Sequence, residues 1–244
     1  MTAGPDPLRR VLVTRPEPGA SATARALRLA GFEPIMLPLT EIRPLPAEAT
    51  DTRVIDAVAV TSANALRHAS PELLQELAKR PLYAVGEATA ETARNAGFLD
   101  VAAGPGDAAG LVRLICDSLK AGAAVAYLCG RLRRPDFEEG LRLHGIRTIP
   151  IETYETVPMG IGEDTMNRLA TAPFLAVLVH SAEAARALAA LAARPTFASS
   201  LTNARLVAIS RRAAEPAAPL FPGRIAISRV PTDRAMVEAL SQLL

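Results

Sequence analysis

VAVTSANALRHA (residues 58–69) and VLVHSAEAARAL (residues 177–188) are one pattern written twice, and their pairing decides the fold. The match sets Thr61 opposite His180, Ser62 opposite Ser181 and Arg67 opposite Arg186. Each copy starts as a short apolar run of strand type and passes, through a small hydroxyl residue suited to a helix N-cap, into a helical stretch. The unit downstream recurs as well. YAVGEATA from Tyr83 corresponds to VAISRRAA from Val207, so that Gly86 faces Ser210 and Thr89 faces Ala213. Self-similarity of this kind needs no outside alignment and signals a duplicated architecture.

A third repeat breaks the order. ARALRLAGFEPIMLP (24–38) resembles FEEGLRLHGIRTIPI (137–151), with Leu27, Arg28, Leu29 and Gly31 matching Leu141, Arg142, Leu143 and Gly145. One copy opens the chain, whereas the other closes its middle segment. The simple physical solution is one domain inserted into another. The expected fold class is therefore α/β, with two doubly wound parallel-sheet domains, one of them discontinuous. Residues 1–37 and 158–244 make the discontinuous domain and 46–149 the inserted one. The crossings, 38–45 and 150–157, lie in MLPLTEIRPLP (36–46) and TIPIETYETVP (148–158). Both are extended, proline-punctuated and rich in β-branched residues, and they are expected to pair as a two-stranded β-ladder hinge. Tyr154 falls in the second crossing, where it either faces whatever the domains enclose or simply caps a β-ribbon.

Elsewhere, short apolar runs alternate with helical periods, the pattern of a parallel sheet covered by helices on both faces. Gly31, Gly97 and Gly145 stand where left-handed helix caps are expected.

Half the residues are hydrophobic, yet there is no Trp and aromatics make up only 4%, which leaves little surface for stacking bases or sugars. With a net charge of +2 and a pI of about 8.8, the chain tolerates an anionic ligand without calling for nucleic acid. Cys116 and Cys129 show no pairing pattern and read as reduced core thiols of a cytoplasmic protein. MTAGPDPLRR at the start lacks the apolar stretch of a signal peptide, and no run is long enough to span a membrane. His68, His144 and His180 are scattered, with no metal-ligand spacing, so no metal is expected.

In open parallel sheets, ligands bind beyond the carboxyl ends of the strands, near the free N–H groups of helix N-termini. The residues placed there are Thr14-Arg15-Pro16, Thr61-Ser62-Ala63-Asn64, Gly86-Glu87-Ala88-Thr89, Gly130-Arg131, His180-Ser181-Ala182 and Ser210-Arg211-Arg212. Hydroxyl, amide and guanidinium groups suit carboxylates or phosphates. Each loop taken singly also reads as an ordinary N-cap. AGPGDAAG (103–110) lacks the GxGxxG spacing and a strand leading into it, and reads as a turn capped by Asp107. No phosphate loop or GxSxG elbow is present. Glu138-Glu139 reads as a solvated first helical turn. Glu152 and Glu155 flank Tyr154, and adjacent strand positions point to opposite faces.

RVLVTRP with LAGFEPIMLPL, then AVTSANALR, YAVGEATAETARNAGF, and YLCGRLRRPDFEEGLRLHGI leading into IETYET resemble the uroporphyrinogen-III synthase family over nearly the whole chain. The resemblance rests on VTRP, TSxNA, VGxxTA and Y-x-T in this order. It implies two α/β domains joined by a β-ladder around a cleft, and cofactor-free cyclisation of hydroxymethylbilane. In that reaction water leaves, an azafulvene forms, and a spiro intermediate inverts the last pyrrole ring. Tyr154 matches the family's candidate proton donor. Thr14, Arg15, Thr61, Ser62, Asn64, Gly86, Ala88, Thr89, Gly130, Arg131, His180, Ser181 and Arg211 become the expected substrate-binding set. A monomer is expected, with hydroxymethylbilane synthase as a transient partner.

The C-terminal copy departs from the family pattern. Ser210-Arg211-Arg212-Ala213-Ala214 stands where a glycine followed by threonines is common, and Arg211 and Arg212 either meet propionates or form a solvated basic pair. His180 replaces the usual threonine. Besides the enzyme, the residues also permit a non-catalytic two-domain module that binds a small anionic ligand; a sugar or nucleotide enzyme is disfavoured by the missing phosphate motif.

Overall fold

The computed structural model describes residues 9–46 and 51–243. The first eight residues, read above as lacking a signal peptide, and residues 47–50 of the inserted segment lie outside them.

The chain divides into two compact units, Met1–Glu41 with Val157–Leu244, and Ile42–Thr156. In chain order the first unit begins with strand β1 (Arg10–Val13), helix α1 (Gly19–Leu29) and β2 (Glu33–Met36), and then β3 (Thr40–Pro44) leads into the second. The second unit runs through β4 (Ala57–Val60), α2 (Ala63–Arg67), α3 (Pro71–Leu77), β5 (Leu82–Ala84), α4 (Glu87–Asn95) and β6 (Val101–Ala103). It continues with α5 (Ala108–Ser118), β7 (Ala124–Gly130), α6 (Asp136–Leu143) and the long β8 (Arg147–Pro158). The chain then completes the first unit with α7 (Glu163–Leu169), β9 (Ala176–Val179), α8 (Ala182–Ala192), α9 (Pro195–Ala198), β10 (Arg205–Ala208), α10 (Arg211–Ala214), β11 (Ile225–Ile227) and α11 (Asp233–Ser241).

Among the described residues, the first unit's sheet has the order β11-β10-β9-β1-β2 and the second unit's β6-β5-β4-β7-β8-β3. Set side by side, these orders put β4 in the place of β9, β7 in that of β1 and β8 in that of β2. The two sheets are thus one topology entered at different points, as the displaced third repeat requires. Every strand pair from β11 to β2 and from β6 to β8 is parallel. At the edge, Leu45 N donates to Thr153 O and Met159 N to Leu39 O, so β3 runs antiparallel to β8.

Both faces of each sheet are covered, which explains the uninterrupted apolar runs of the central strands. Val58, Val60, Leu82, Ala84, Ala126 and Leu128 face α2, α3 and α4. Their neighbours Ala57, Ala59, Tyr83, Val125, Tyr127 and Cys129 face α5 and α6. The same period of two operates in the first unit. There Leu12, Val177, Val179, Leu206 and Ala208 pack under α7 to α10, and Val11, Val13, Ala176, Leu178 and Val207 under α1 and α11. Gly31 and Gly145 close the repeat-related helices α1 and α6 at φ of 80° and 73°, where a side chain would be strained.

Two expectations change here. AGPGDAAG does follow a strand: β6 ends at Ala103, and Asp107 then caps α5 by accepting from Gly110 N at 2.7 Å. The three-residue β6 is too short to be read from periodicity. Of the cysteines, Cys129 is buried but Cys116 is half-buried on α5, because its helix position falls at the margin of the apolar stripe. Among the described residues no helix is long and apolar enough to cross a membrane.

Candidate functional site

In the second unit, β4, β5 and β7 end along one edge of the sheet, and each releases a loop there. Thr61 and Ser62 follow β4, and Ser62 caps α2 by accepting from Asn64 N at 3.3 Å. Thr61 Oγ1 shares a 2.8 Å hydrogen bond with the Tyr127 hydroxyl. Burial pushes Tyr127 up to about 12 despite that bond, so it is a fixed neutral support for Thr61. Gly86 caps α4 with extended backbone, and a Cβ on it would stand 3.3 Å from Gly106 Cα, tighter than most real contacts. Ala88 is exposed in the first turn of α4, while Thr89 is buried one residue later. Thr89 therefore belongs to the core side of this loop.

Tyr154 owes its place to an irregularity. Cys129 pairs with Glu152, but the next residue, Gly130, pairs with Tyr154, so Thr153 is an extra residue bulged out of the ladder. The bulge resets the alternation. Tyr154 packs on the same core as Ile151, although the two are an odd number of residues apart. Its ring crosses Gly130 so closely that a Cβ there would lie 2.7 Å from Cζ and 3.0 Å from the hydroxyl. The His68 ring, at the C-terminal end of α2, is 6.2 Å away, centroid to centroid. Burial raises the Tyr154 phenol above its ordinary value, and the neighbouring Ser62 hydroxyl acts against that shift. The side chain is thus a protonated phenol at neutral pH, half-buried beside the β4 and β7 loops.

The same bulge overturns the expectation that Glu152 and Glu155 point to opposite faces. Arg131 bridges them, with Nε donating to Glu152 at 3.3 Å and Nη1 to Glu155 at 2.7 Å. Arg133 joins the network through Glu152 at 2.8 Å and Glu138 at 2.7 Å. Hydrogen bonding from Arg133 holds Glu152 below the usual carboxylate value. Glu138 is consequently an ion-pair partner and not a freely solvated residue. Arg131 would meet a ligand only in competition with two glutamates.

In the first unit, β1 and β9 end side by side, bringing Thr14, Arg15, His180 and Ser181 to one edge. Thr14 is fully buried, and its hydroxyl donates to Leu178 O at 2.7 Å, which commits it to the sheet. Ser181 caps α8 by accepting from Ala184 N at 3.1 Å, just as Ser62 caps α2. Ser210 likewise caps α10, and Arg211 and Arg212 are exposed on its first turn.

At the centre of this edge stands a residue outside the expected set. Asp233, the first residue of α11, receives three hydrogen bonds at a single oxygen: Thr23 Oγ1 at 2.7 Å, His180 Nε2 at 3.0 Å and Arg15 Nη1 at 3.2 Å. Burial works to raise its carboxyl, but these donors outweigh it and hold Asp233 below the ordinary aspartate value. Burial lowers His180, which stays neutral with its proton on Nε2, and its buried Nδ1 has no protein partner. The only sequence signal was the helix start at Thr232-Asp233, which marks a cap and says nothing of His180. Tyr127, Thr23 and Thr153 carried no signal at all.

A family model described as Uroporphyrinogen-III synthase HemD matches residues 21–238. Among solved structures, the chain is similar to the uroporphyrinogen-III synthetase from Helicobacter pylori, at 21% identity and a TM-score of 0.67, over 97% of this chain and 100% of that one. It is also similar to a mutant uroporphyrinogen III synthase from the extremely thermophilic bacterium Thermus thermophilus, at 18% identity and a TM-score of 0.56, over 96% of this chain and 98% of that one. At such identities the structural likeness speaks for the fold, two α/β domains with parallel sheets. No curated protein matches the chain.

Proposed function

The chain belongs to the uroporphyrinogen-III synthase family, and from that premise we propose which of its residues carry the reaction. The enzyme is a cyclising lyase of tetrapyrrole biosynthesis. It closes hydroxymethylbilane to uroporphyrinogen III with loss of water and inversion of the last ring.

Tyr154 is the general acid. As the C–O bond of the hydroxymethyl group breaks, the phenol protonates the departing hydroxide to give water, and the proton that the pyrrole nitrogen gives up as the azafulvene forms returns the phenolate to the phenol. What supports this role is the phenol's placement, protonated and half-buried across Gly130, with Ser62 beside it. The bilane carries an acetate and a propionate on every pyrrole. The hydroxyls of Thr61, Ser62 and Ser181, the Asn64 amide, Arg211 and the backbone N–H groups around Gly86, Ala88 and Gly130 are suited to those carboxylates. Arg15 joins them with its guanidinium already oriented by Asp233, and Arg131 with its own held between glutamates. Thr14, Thr89 and His180 support the loops from beneath.

Without the enzyme the bilane closes with no inversion, so holding one folded shape and excluding water from the azafulvene carry the selectivity. An unstable substrate also favours a brief contact with hydroxymethylbilane synthase, in the cytoplasm and by a monomer. The test is to generate hydroxymethylbilane in situ, add the protein, oxidise the products and separate the uroporphyrin isomers. The type III isomer should dominate. Type I alone, from folded protein that still binds the bilane saturably, would leave a binding module in place of the enzyme.

A further inference from the structure

We propose that Thr153 is a positioning residue for the reaction, holding Tyr154 over Gly130 by tying the β8 bulge to helix α2. The proposal rests on the reading of Tyr154 as the proton donor and extends it to a residue with no role assigned above.

Thr153 is the inserted residue of the bulge and is fully buried. Its hydroxyl donates to Ala65 O at 2.8 Å, with Cys129 O further away at 3.5 Å. Ala65 lies in the five-residue α2, near the end where helix carbonyls run out of intrahelical donors. A hydroxyl from outside is therefore well matched to it. Both ends of this short helix also touch Tyr154: Ser62 caps its start and His68 closes its end, 6.2 Å from the tyrosine ring. Thr153 thus fastens the strand to a helix whose two ends both border the phenol.

The bulge is what makes the arrangement possible. In a regular strand Thr153 and Tyr154 would face opposite sides of the sheet. Here both turn to the α2 side, while Glu152 and Glu155 turn together to Arg131 on the other. Loss of the hydroxyl removes the side-chain bond that ties the extra residue to α2. If the strand slips to regular pairing, the phenol leaves Gly130.

The experiment is a double-mutant cycle in the full chain, with kcat and KM measured on hydroxymethylbilane generated in situ. If Tyr154 is the acid, Tyr154→Phe lowers kcat on the order of a hundredfold. Thr153→Val should then lower kcat towards the same level with KM changed by less than about threefold, and Thr153→Ser should restore most of the rate. The double variant should be no slower than Tyr154→Phe alone, because the two changes remove one contribution. An ultraviolet titration supplies a second readout: the Thr153→Val protein, shown folded by circular dichroism, should form the Tyr154 phenolate at lower pH than the unaltered chain. A wild-type kcat in Thr153→Val beside a slow Tyr154→Phe overturns the proposal, and so does a double variant whose loss is the product of the two single losses. A normal rate in Tyr154→Phe overturns the underlying reading of the tyrosine itself.

Discussion

The Tyr154 ring lies across Gly130 with no room for a methyl group between them: a Cβ at residue 130 would sit 2.7 Å from Cζ. Gly130 is not one of the glycines with positive φ, so it is small for the sake of the ring and not for a left-handed turn. Gly130→Ala should therefore displace the tyrosine while leaving β7 intact. We expect kcat to fall at least about tenfold, in line with loss of an aligned proton donor, and the far-ultraviolet circular dichroism to stay unchanged. An active Gly130→Ala enzyme would show that the close approach is unnecessary.

The ionisation of Tyr154 sets an alkaline limit on that chemistry. A general acid works only in its protonated form, and burial raises this phenol above the ordinary tyrosine value of about 10. Activity should accordingly show no tyrosine-dependent decline between about pH 7 and about pH 10. Tyr127 is pushed up to about 12 by its own burial. Following phenolate absorbance in the unaltered chain and in Tyr154→Phe isolates the signal of Tyr154. A midpoint below about 10 would contradict its burial.

How far the sequence reaches is clearest at these same residues. The paired repeats and the displaced third one announce a duplicated α/β architecture, and the repeat-related α1–β2 and α6–β8 do take matching places in the two sheets, but the order of the strands is set by pairing that no repeat writes down. The serine caps were legible too, since a cap is a local pattern of hydroxyl, small residue and helix start. The bulge at Thr153 was not, because it exists only in the register between β7 and β8, and one strand's sequence says nothing of its partner's count. Arg131 read as a free ligand arginine for the same reason: only the bulge turns both glutamates towards it. Asp233 was out of reach because 53 residues separate it from His180, and only the parallel strand ends of the first unit bring them together.

Acid should weaken the fold in two successive windows. His180 is depressed by burial below its ordinary value of about 6.5. The unfolded chain therefore takes up a proton there before the folded one does, and the stability held by neutral His180 is complete above about pH 6.5 and lost as pH falls through the folded value. Asp233 and Glu152 are also depressed, so their contributions are present above about pH 4 and disappear below it. Denaturation midpoints measured from about pH 8 to about pH 5 should decline, and His180→Asn should decline less steeply over that range. Equal slopes in the two proteins would remove His180 as a cause.

Ser62 and Ser181 offer the sharpest separation of a structural role from a functional one. They occupy matching places in the repeat, each caps the helix after its strand, and each accepts a backbone N–H through the same oxygen, at 3.3 Å and 3.1 Å. As caps they are equivalent, and replacing either with alanine should cost about 1 kcal/mol of stability. As site residues they differ, because only Ser62 acts on the ionisation of Tyr154. Ser62→Ala should thus lower kcat as well as stability. Ser181→Ala should raise KM, if its hydroxyl meets a carboxylate, and leave kcat near its normal value. Equal stability losses with no kinetic effect from either change would mean that both serines serve the helices alone.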